Sequence, residues 1–105
     1  MTDKLVKDGK VAVLYSPGYG AGWSTWAYDG ARKRMIFHPE LAQAVLDGDR
    51  AKVQQIADTS FPDEYDGGLD ALSVCWVDEG CRFEINEYDG SESVRILGKD
   101  DGYVA

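Results

Sequence analysis

The dipeptide Asp89-Gly90, set between two alternating segments, is the feature that most constrains the fold of this chain. Asp-Gly is a strong signal for a two-residue β-hairpin turn, because both turn residues take a positive φ. With these residues at the turn, Ile85 lies opposite Val94, so that apolar meets apolar. The same register sets Glu84 opposite Arg95 on the other face. The pattern therefore predicts an antiparallel hairpin in one defined register.

A further strand is predicted before this hairpin. Leu72–Val77 also alternates, and a four-residue turn at Val77–Gly80 would set it antiparallel to Cys81–Glu87. The three segments together predict an antiparallel meander. Glu92, like the other carboxylates of the hairpin, is assigned to the outer face and the turn, where charged side chains keep a sheet soluble.

Residues 38–62 predict two short helices. His38-Pro39 suits a helix start, because the first helical position needs no N–H donor, and Gly48 suits its end. Asp49 is a predicted N-cap for the second helix, which Phe61-Pro62 ends. The predicted fold class is α+β: an antiparallel β-meander sheet covered by a short two-helix hairpin.

The length of 105 residues predicts a single domain over residues 1–105, with flexible ends at 1–9 and 99–105. A hydrophobic fraction of 44% is enough for a modest core and argues against a disordered chain. The net charge of −8 is uneven, since residues 1–57 carry eight Lys or Arg against six Asp or Glu, and residues 58–105 carry three against thirteen. This acidity argues against general nucleic-acid binding, which needs a basic surface.

No apolar run approaches the roughly 18 residues of a membrane span, and the start of the chain lacks the apolar core of a signal peptide. We therefore expect no membrane association and a cytoplasmic location. Cys75 and Cys81 are expected to be free thiols in that reducing setting, because their spacing does not fit a zinc site. In the predicted meander their side chains point to opposite faces.

A glycine-rich segment, Ser16–Gly22, follows the apolar strand Val11–Tyr15, and aromatic residues flank it. Glycines let a ligand approach the backbone N–H groups, which can form a nest for an anion. The aromatic rings offer faces for stacking a base. The alternative is structural, with the glycines permitting a tight turn and the Trp residues filling the core. Residues 23–28 are predicted to be extended, and the spacing matches neither a P-loop nor a Rossmann loop.

Arg32-Lys33-Arg34 is the basic cluster that follows this segment. It can complement a bound anion or an acidic partner surface, or it can be a solvated turn between a strand and a helix. The candidate ligand-binding residues are Tyr15, Ser16, Gly18, Tyr19, Gly20, Gly22, Trp23, Trp26, Arg32 and Arg34.

Other chemistry-bearing residues give weaker signals. His38, the only histidine, is expected to cap a helix rather than to act as a catalytic base. The acidic stretch 63–70 does not have the spacing of a calcium loop and is expected to be solvated. We therefore predict no catalytic residue, no metal site and no cofactor.

Two segments of the chain resemble small proteins encoded by tailed bacteriophages and prophages. The first is Tyr15–Trp23, a strand followed by a Gly-Tyr-Gly-Ala-Gly-Trp loop, and the second is Glu87–Ser93 together with Gly80, Phe83 and Ile85 before it. The resemblance covers about residues 10–95. It implies a phage accessory protein that acts in the cytoplasm of a bacterial host, and it carries over no catalytic residue.

That resemblance favours a non-catalytic binding protein that acts stoichiometrically on a host or defence component. It would sequester a nucleotide-like or other anionic small ligand through the glycine-aromatic segment. The alternatives are an inhibitor of a host protein that works through the acidic surface, a small metal-dependent hydrolase, and a minor structural or assembly protein of the phage. A homo-oligomer is compatible with each of these functions.

Overall fold

The computed structural model describes residues 4–18, 22–27, 29–62, 69–88, 90–97 and 102–105, and the side chains of Trp26, Asp29 and Asp70 lie outside that description. The strands are β1 (Val6–Lys7), β2 (Lys10–Tyr15), β3 (Ser73–Asp78), β4 (Arg82–Tyr88), β5 (Ser91–Leu97) and β6 (Tyr103–Val104). The helices are α1 (Asp29–Phe37), α2 (Pro39–Asp47) and α3 (Arg50–Ser60), with single 3₁₀ turns at Ser24–Trp26 and Leu69–Ala71.

The strands form two antiparallel sheets. The first sheet has the order β1-β2-β3, and the second has the order β5-β4-β6. Helices and antiparallel sheets occupy separate stretches of the chain, which confirms the predicted α+β class.

The predicted hairpin is confirmed as β4–β5. Ile85 pairs with Val94 and Glu84 pairs with Arg95, and the pairing runs up to Tyr88 opposite Ser91. Gly90 has a φ of 86°, as the two-residue turn requires. Asp89, the other turn residue, lies outside the described residues.

The predicted pairing of β3 with β4 is wrong. β3 pairs along its whole length with β2, from Lys10 opposite Asp78 to Tyr15 opposite Ser73. β4 belongs to the other sheet, where β6 pairs with it at the edge predicted for β3. Beside this edge, Gly80 donates its N–H to the carbonyl of Ala105 at 2.8 Å. The sequence therefore folds into two sheets, where the alternation alone predicted one.

β2 explains why two sheets form. Ala12 and Leu14 face a core cluster that they share with the helices, whereas Val11 and Val13 face a second cluster that they share with the second sheet. All four side chains are fully buried. A strand buried on both faces is a continuous apolar run, which is the pattern that Val11–Leu14 shows.

The helix hairpin is confirmed. α2 begins at Pro39 and is followed by Gly48, and the Asp49 carboxylate caps α3 by accepting the N–H of Lys52 at 3.1 Å. The structure adds α1, which contains Arg32–Arg34, so the prediction of a turn there is wrong. The prediction of an extended segment at 23–28 is also wrong, since Ser24–Trp26 is a 3₁₀ turn.

α1 lacks the apolar periodicity that identifies a helix in a sequence. Ala31 and Met35 pack into the first core cluster, whereas Ile36 and Phe37 pack into the second, so that three of the buried residues are consecutive. β1 and β6, which lie in segments 1–9 and 99–105, pair with β2 and β4, and the predicted flexibility of the chain ends stays a prediction.

Replacing Gly90 with Val should lower the free energy of unfolding by about 1 kcal/mol or more, because a β-branched residue resists a positive φ. Replacement with Asn, which tolerates this conformation, should cost clearly less. Urea unfolding of the two variants measures the difference. Equal stability of the Val and Asn variants would contradict the assignment of this turn.

Candidate functional site

A buried carboxylate, that of Glu92 on β5, organises the glycine-rich segment. Only 1% of Glu92 is exposed. Its Oε1 accepts the backbone N–H of Ser16 at 2.9 Å, and its Oε2 accepts those of Trp23 at 2.8 Å and Thr25 at 3.0 Å. The hydroxyl of Thr25 donates to Oε2 at 2.5 Å. These donors replace the water that a carboxylate loses on burial.

Further contacts fix the start of the segment. The backbone N–H of Glu92 donates to the carbonyl of Ser16 at 2.7 Å, and the hydroxyl of Ser91 donates to the carbonyl of Pro17 at 2.7 Å. Gly18 packs so closely that an added Cβ would lie 2.8 Å from the Cβ of Ala71. The segment is therefore attached to the β4–β5 hairpin at both of its described ends.

The predicted anion nest is occupied by a side chain of the protein itself. The N–H groups of Ser16, Trp23 and Thr25 converge on one anion, as they do in a nest. That anion is the protein's own Glu92, so these three donors are not available to a ligand. The assignment of Glu92 to the outer face of the hairpin is wrong, because it shares the inner face with Val94, two residues along the strand.

Trp23 is a core residue, which is the structural alternative that stood beside a stacking role for it. Its side chain is fully buried, its Nε1 donates to the carbonyl of Met35 at 2.8 Å, and its ring meets Phe61 edge-on at 5.8 Å. Ser16 and Gly22 are also buried. These three buried residues therefore belong to the interior of the fold. Two other candidates, Gly18 and Tyr15, are half-buried.

The two candidate arginines both lie on α1, but their side chains make different contacts. Arg32 donates through Nε to the carbonyl of Ala27 at 2.8 Å, which places it beside the 3₁₀ turn that follows the glycine-rich segment. Arg34 is exposed, and its guanidinium lies 5.5 Å from the ring centre of Phe61. Of the two arginines, Arg32 is therefore the one that contacts the residues following the glycine-rich segment.

Several predicted features lie outside the described residues. They are Tyr19, Gly20, the side chain of Trp26 and the acidic residues of 63–68. The part of the chain that is described contains no group of three or more His, Cys, Asp or Glu side chains that could hold a metal ion.

His38 caps α2, as predicted. Its Nδ1 accepts the backbone N–H of Leu41 at 3.2 Å, and its Nε2 lies 3.3 Å from the hydroxyl of Ser60. Because Nδ1 accepts, the proton of the neutral ring is on Nε2, which then donates to Ser60. A general base needs an accepting nitrogen next to the nucleophile, so this pair is set up for capping and not for nucleophilic catalysis.

The two cysteines are free and half-buried. Both pack against the second core cluster, which corrects the prediction that they point to opposite faces; that prediction depended on a β3–β4 hairpin. Burial raises the pKa of the Cys75 thiol, which lowers its reactivity as a nucleophile.

A groove of about 780 Å³ lies between the β1–β2 hairpin and α2. Its apolar lining comes from Leu5, Val6, Leu46 and Trp76. Val6 is 41% exposed and Leu46 is 44% exposed, so both present apolar surface to the solvent. No local sequence pattern indicates this groove, because its residues come from three separate stretches of the chain.

Charged side chains line the rim of this groove. Asp8 and Asp47 lie on the rim with Lys7 and Lys10. Lys10 is within 4.0 Å of Asp78 on the neighbouring strand, so its charge is partly offset. The rim is therefore mixed in charge, on a chain whose net charge is −8.

Comparison with protein-family models, with curated proteins and with solved structures gives no match. Among the described residues, no helix has the length and apolar character needed to cross a membrane.

Replacing Glu92 with Ala should lower the free energy of unfolding by at least about 3 kcal/mol, because each buried N–H left unpaired costs about 1–3 kcal/mol. Replacement with Gln should also destabilise, since its NH₂ group cannot accept from the N–H groups that face it. The matched control is Glu79→Gln at an exposed position, which should change stability by less than about 0.5 kcal/mol. Urea unfolding in which the Glu92 variants match the control would contradict this role.

Partial burial lowers the pKa of His38, with Glu40 acting in the opposite direction and Arg34 in the same direction. The folded state therefore favours the neutral ring, so this contribution to stability is complete above the usual value of 6.5 and is lost as the pH falls below it. The wild type should lose more stability between about pH 7.5 and about pH 5.5 than His38→Asn, which keeps a cap but does not titrate. Urea midpoints at both pH values test this, and equal losses would contradict it.

Proposed function

We propose that this chain is a non-catalytic binding protein that acts stoichiometrically on a protein partner. Its setting would be the cytoplasm of a bacterial host, as the resemblance to phage accessory proteins implies. The observation that carries this proposal is the groove between the β1–β2 hairpin and α2, which combines an apolar lining with charged residues of both signs.

The glycine-rich segment supports this choice indirectly. Glu92 already accepts the N–H groups of Ser16, Trp23 and Thr25, and Trp23 is buried. An anionic small ligand would have to displace an internal carboxylate from its donors or bind without them. We therefore favour binding of a protein over sequestration of a nucleotide-like ligand.

The charges favour a partner segment that combines apolar side chains with Lys or Arg. A net charge of −8 attracts a cationic partner at long range and repels an anionic one. At the groove, Asp8 and Asp47 are the acidic groups that such a segment would meet, while Leu46 and Trp76 would cover its apolar side chains.

Native mass spectrometry of the chain isolated gently from a bacterial lysate tests the proposal. Leu46→Lys should lower retention of a protein partner by about tenfold or more, because it adds a cation to the groove and removes apolar surface. Tyr88→Lys, which changes another exposed apolar residue, and Arg34→Ala, which removes a candidate anion contact, should retain the partner.

Three results would contradict the proposal. The first is a protein partner that Leu46→Lys retains as well as the wild type. The second is a bound small anion that is lost in Arg34→Ala. The third is the absence of any retained protein partner, with or without a retained metal ion.

A further inference from the structure

β5 is an edge strand of the second sheet, and part of its backbone points away from the sheet. Because the hairpin closes with Tyr88 opposite Ser91, the odd-numbered residues of β5 bond to β4 and the even-numbered ones point outward. Glu92 shows this direction directly, since its N–H donates outward to Ser16 at 2.7 Å. Among the described residues, Val94 and Ile96 have no backbone partner on that side.

Beyond Glu92, whose charged side chain points inward, this edge lacks several of the other features that usually prevent strand pairing. β5 has seven residues with neither Lys nor Pro, and its register with β4 is regular, without a bulge. Ile96 is 57% exposed even though it lies on the face that packs towards the first sheet. Arg95, which precedes Ile96 in β5, lies 3.7 Å from Glu84 of the same sheet.

The edge is complementary to a second copy of itself. An antiparallel pairing about a two-fold axis at Arg95 sets Val94 of each copy opposite Ile96 of the other. Both residues point their backbone groups outward, so the two copies can exchange hydrogen bonds at each of these pairs. Four β-branched side chains then form one apolar row, which is a favourable cross-strand arrangement.

Arg95 would lie opposite Arg95 of the second copy in this register. Each guanidinium keeps Glu84 of its own copy within 3.7 Å, so the two like charges are partly neutralised. The neighbouring register, with Val94 opposite Val94, would set Ile96 against Glu92, whose outward N–H is already bonded to Ser16. Residues 93–97 therefore favour the register in which the two-fold axis passes through Arg95.

We propose that two copies of this chain associate through β5, antiparallel about a two-fold axis at Arg95, to form one continuous sheet. The interface is small, so the association is weak and depends on concentration. Each copy carries a net charge of −8, so added salt strengthens the dimer by screening the repulsion. A basic protein partner on the same edge would show the opposite dependence on salt.

Sedimentation between about 10 µM and about 1 mM, the range in which weak interfaces associate, should show the mass rising from the monomer value of 11.6 kDa towards twice that value. Ile96→Lys should keep the chain monomeric throughout this range. The matched control is Val104→Lys, at an exposed β-branched residue on the opposite edge strand of the same sheet, and it should associate like the wild type. A wild type that stays monomeric, or a dimer that Ile96→Lys leaves intact, would overturn the proposal.

Cross-linking tests the register. Two Arg95→Cys copies should form an intermolecular disulfide with oxidised glutathione, because the pair on the axis has a Cα separation of about 4.5 Å, within the range of a disulfide. Ser93→Cys, which would lie opposite Leu97, and the wild type with its half-buried cysteines should cross-link far less. Equal yields from the Arg95 and Ser93 variants would overturn the proposed axis.

Discussion

The structure depends on one buried carboxylate. Glu92 comes from the β4–β5 hairpin and accepts N–H groups from both described ends of the segment that connects β2 to α1. Without this side chain, the buried backbone N–H groups of Ser16 and Trp23 would lose this acceptor, while the start of the segment would keep its hydrogen bonds to the backbone of Glu92 and to the hydroxyl of Ser91. The hydrogen bond from Ser16 to Glu92 joins residues that are 76 positions apart in the chain, so it connects the segment after β2 to the β4–β5 hairpin.

This internal contact also decides how the glycine-aromatic segment relates to function. Glycines and backbone donors resemble a ligand site in a sequence, because a site and a closed structural turn need the same freedom of the backbone. Here the donors bind a side chain of the same protein, and Trp23 fills the core beside them. We therefore propose binding at surfaces that this contact leaves open, namely the groove beside α2 and the edge of β5.

Local signals in the sequence were sufficient for the β4–β5 hairpin and for the two capped helices, because turn and cap chemistry depends on neighbouring residues. The pairing of β2 with β3 was missed, since it joins distant segments; the continuous apolar run Val11–Leu14 is the signal that could have indicated a strand buried on both faces. The burial of Glu92 could also have been predicted, because the hairpin register places it on the same face of β5 as Val94. Its donors could not be predicted, as their positions follow from the tertiary fold.

Amide hydrogen exchange, followed by NMR, measures most directly whether Glu92 holds both ends of the segment. If it does, the amides of Ser16, Trp23 and Thr25 exchange slowly, at a common rate close to that of the β4–β5 hairpin, because one opening event must release all three. Fast exchange of these amides while the hairpin remains protected, or three unrelated rates, would contradict the central role of this carboxylate.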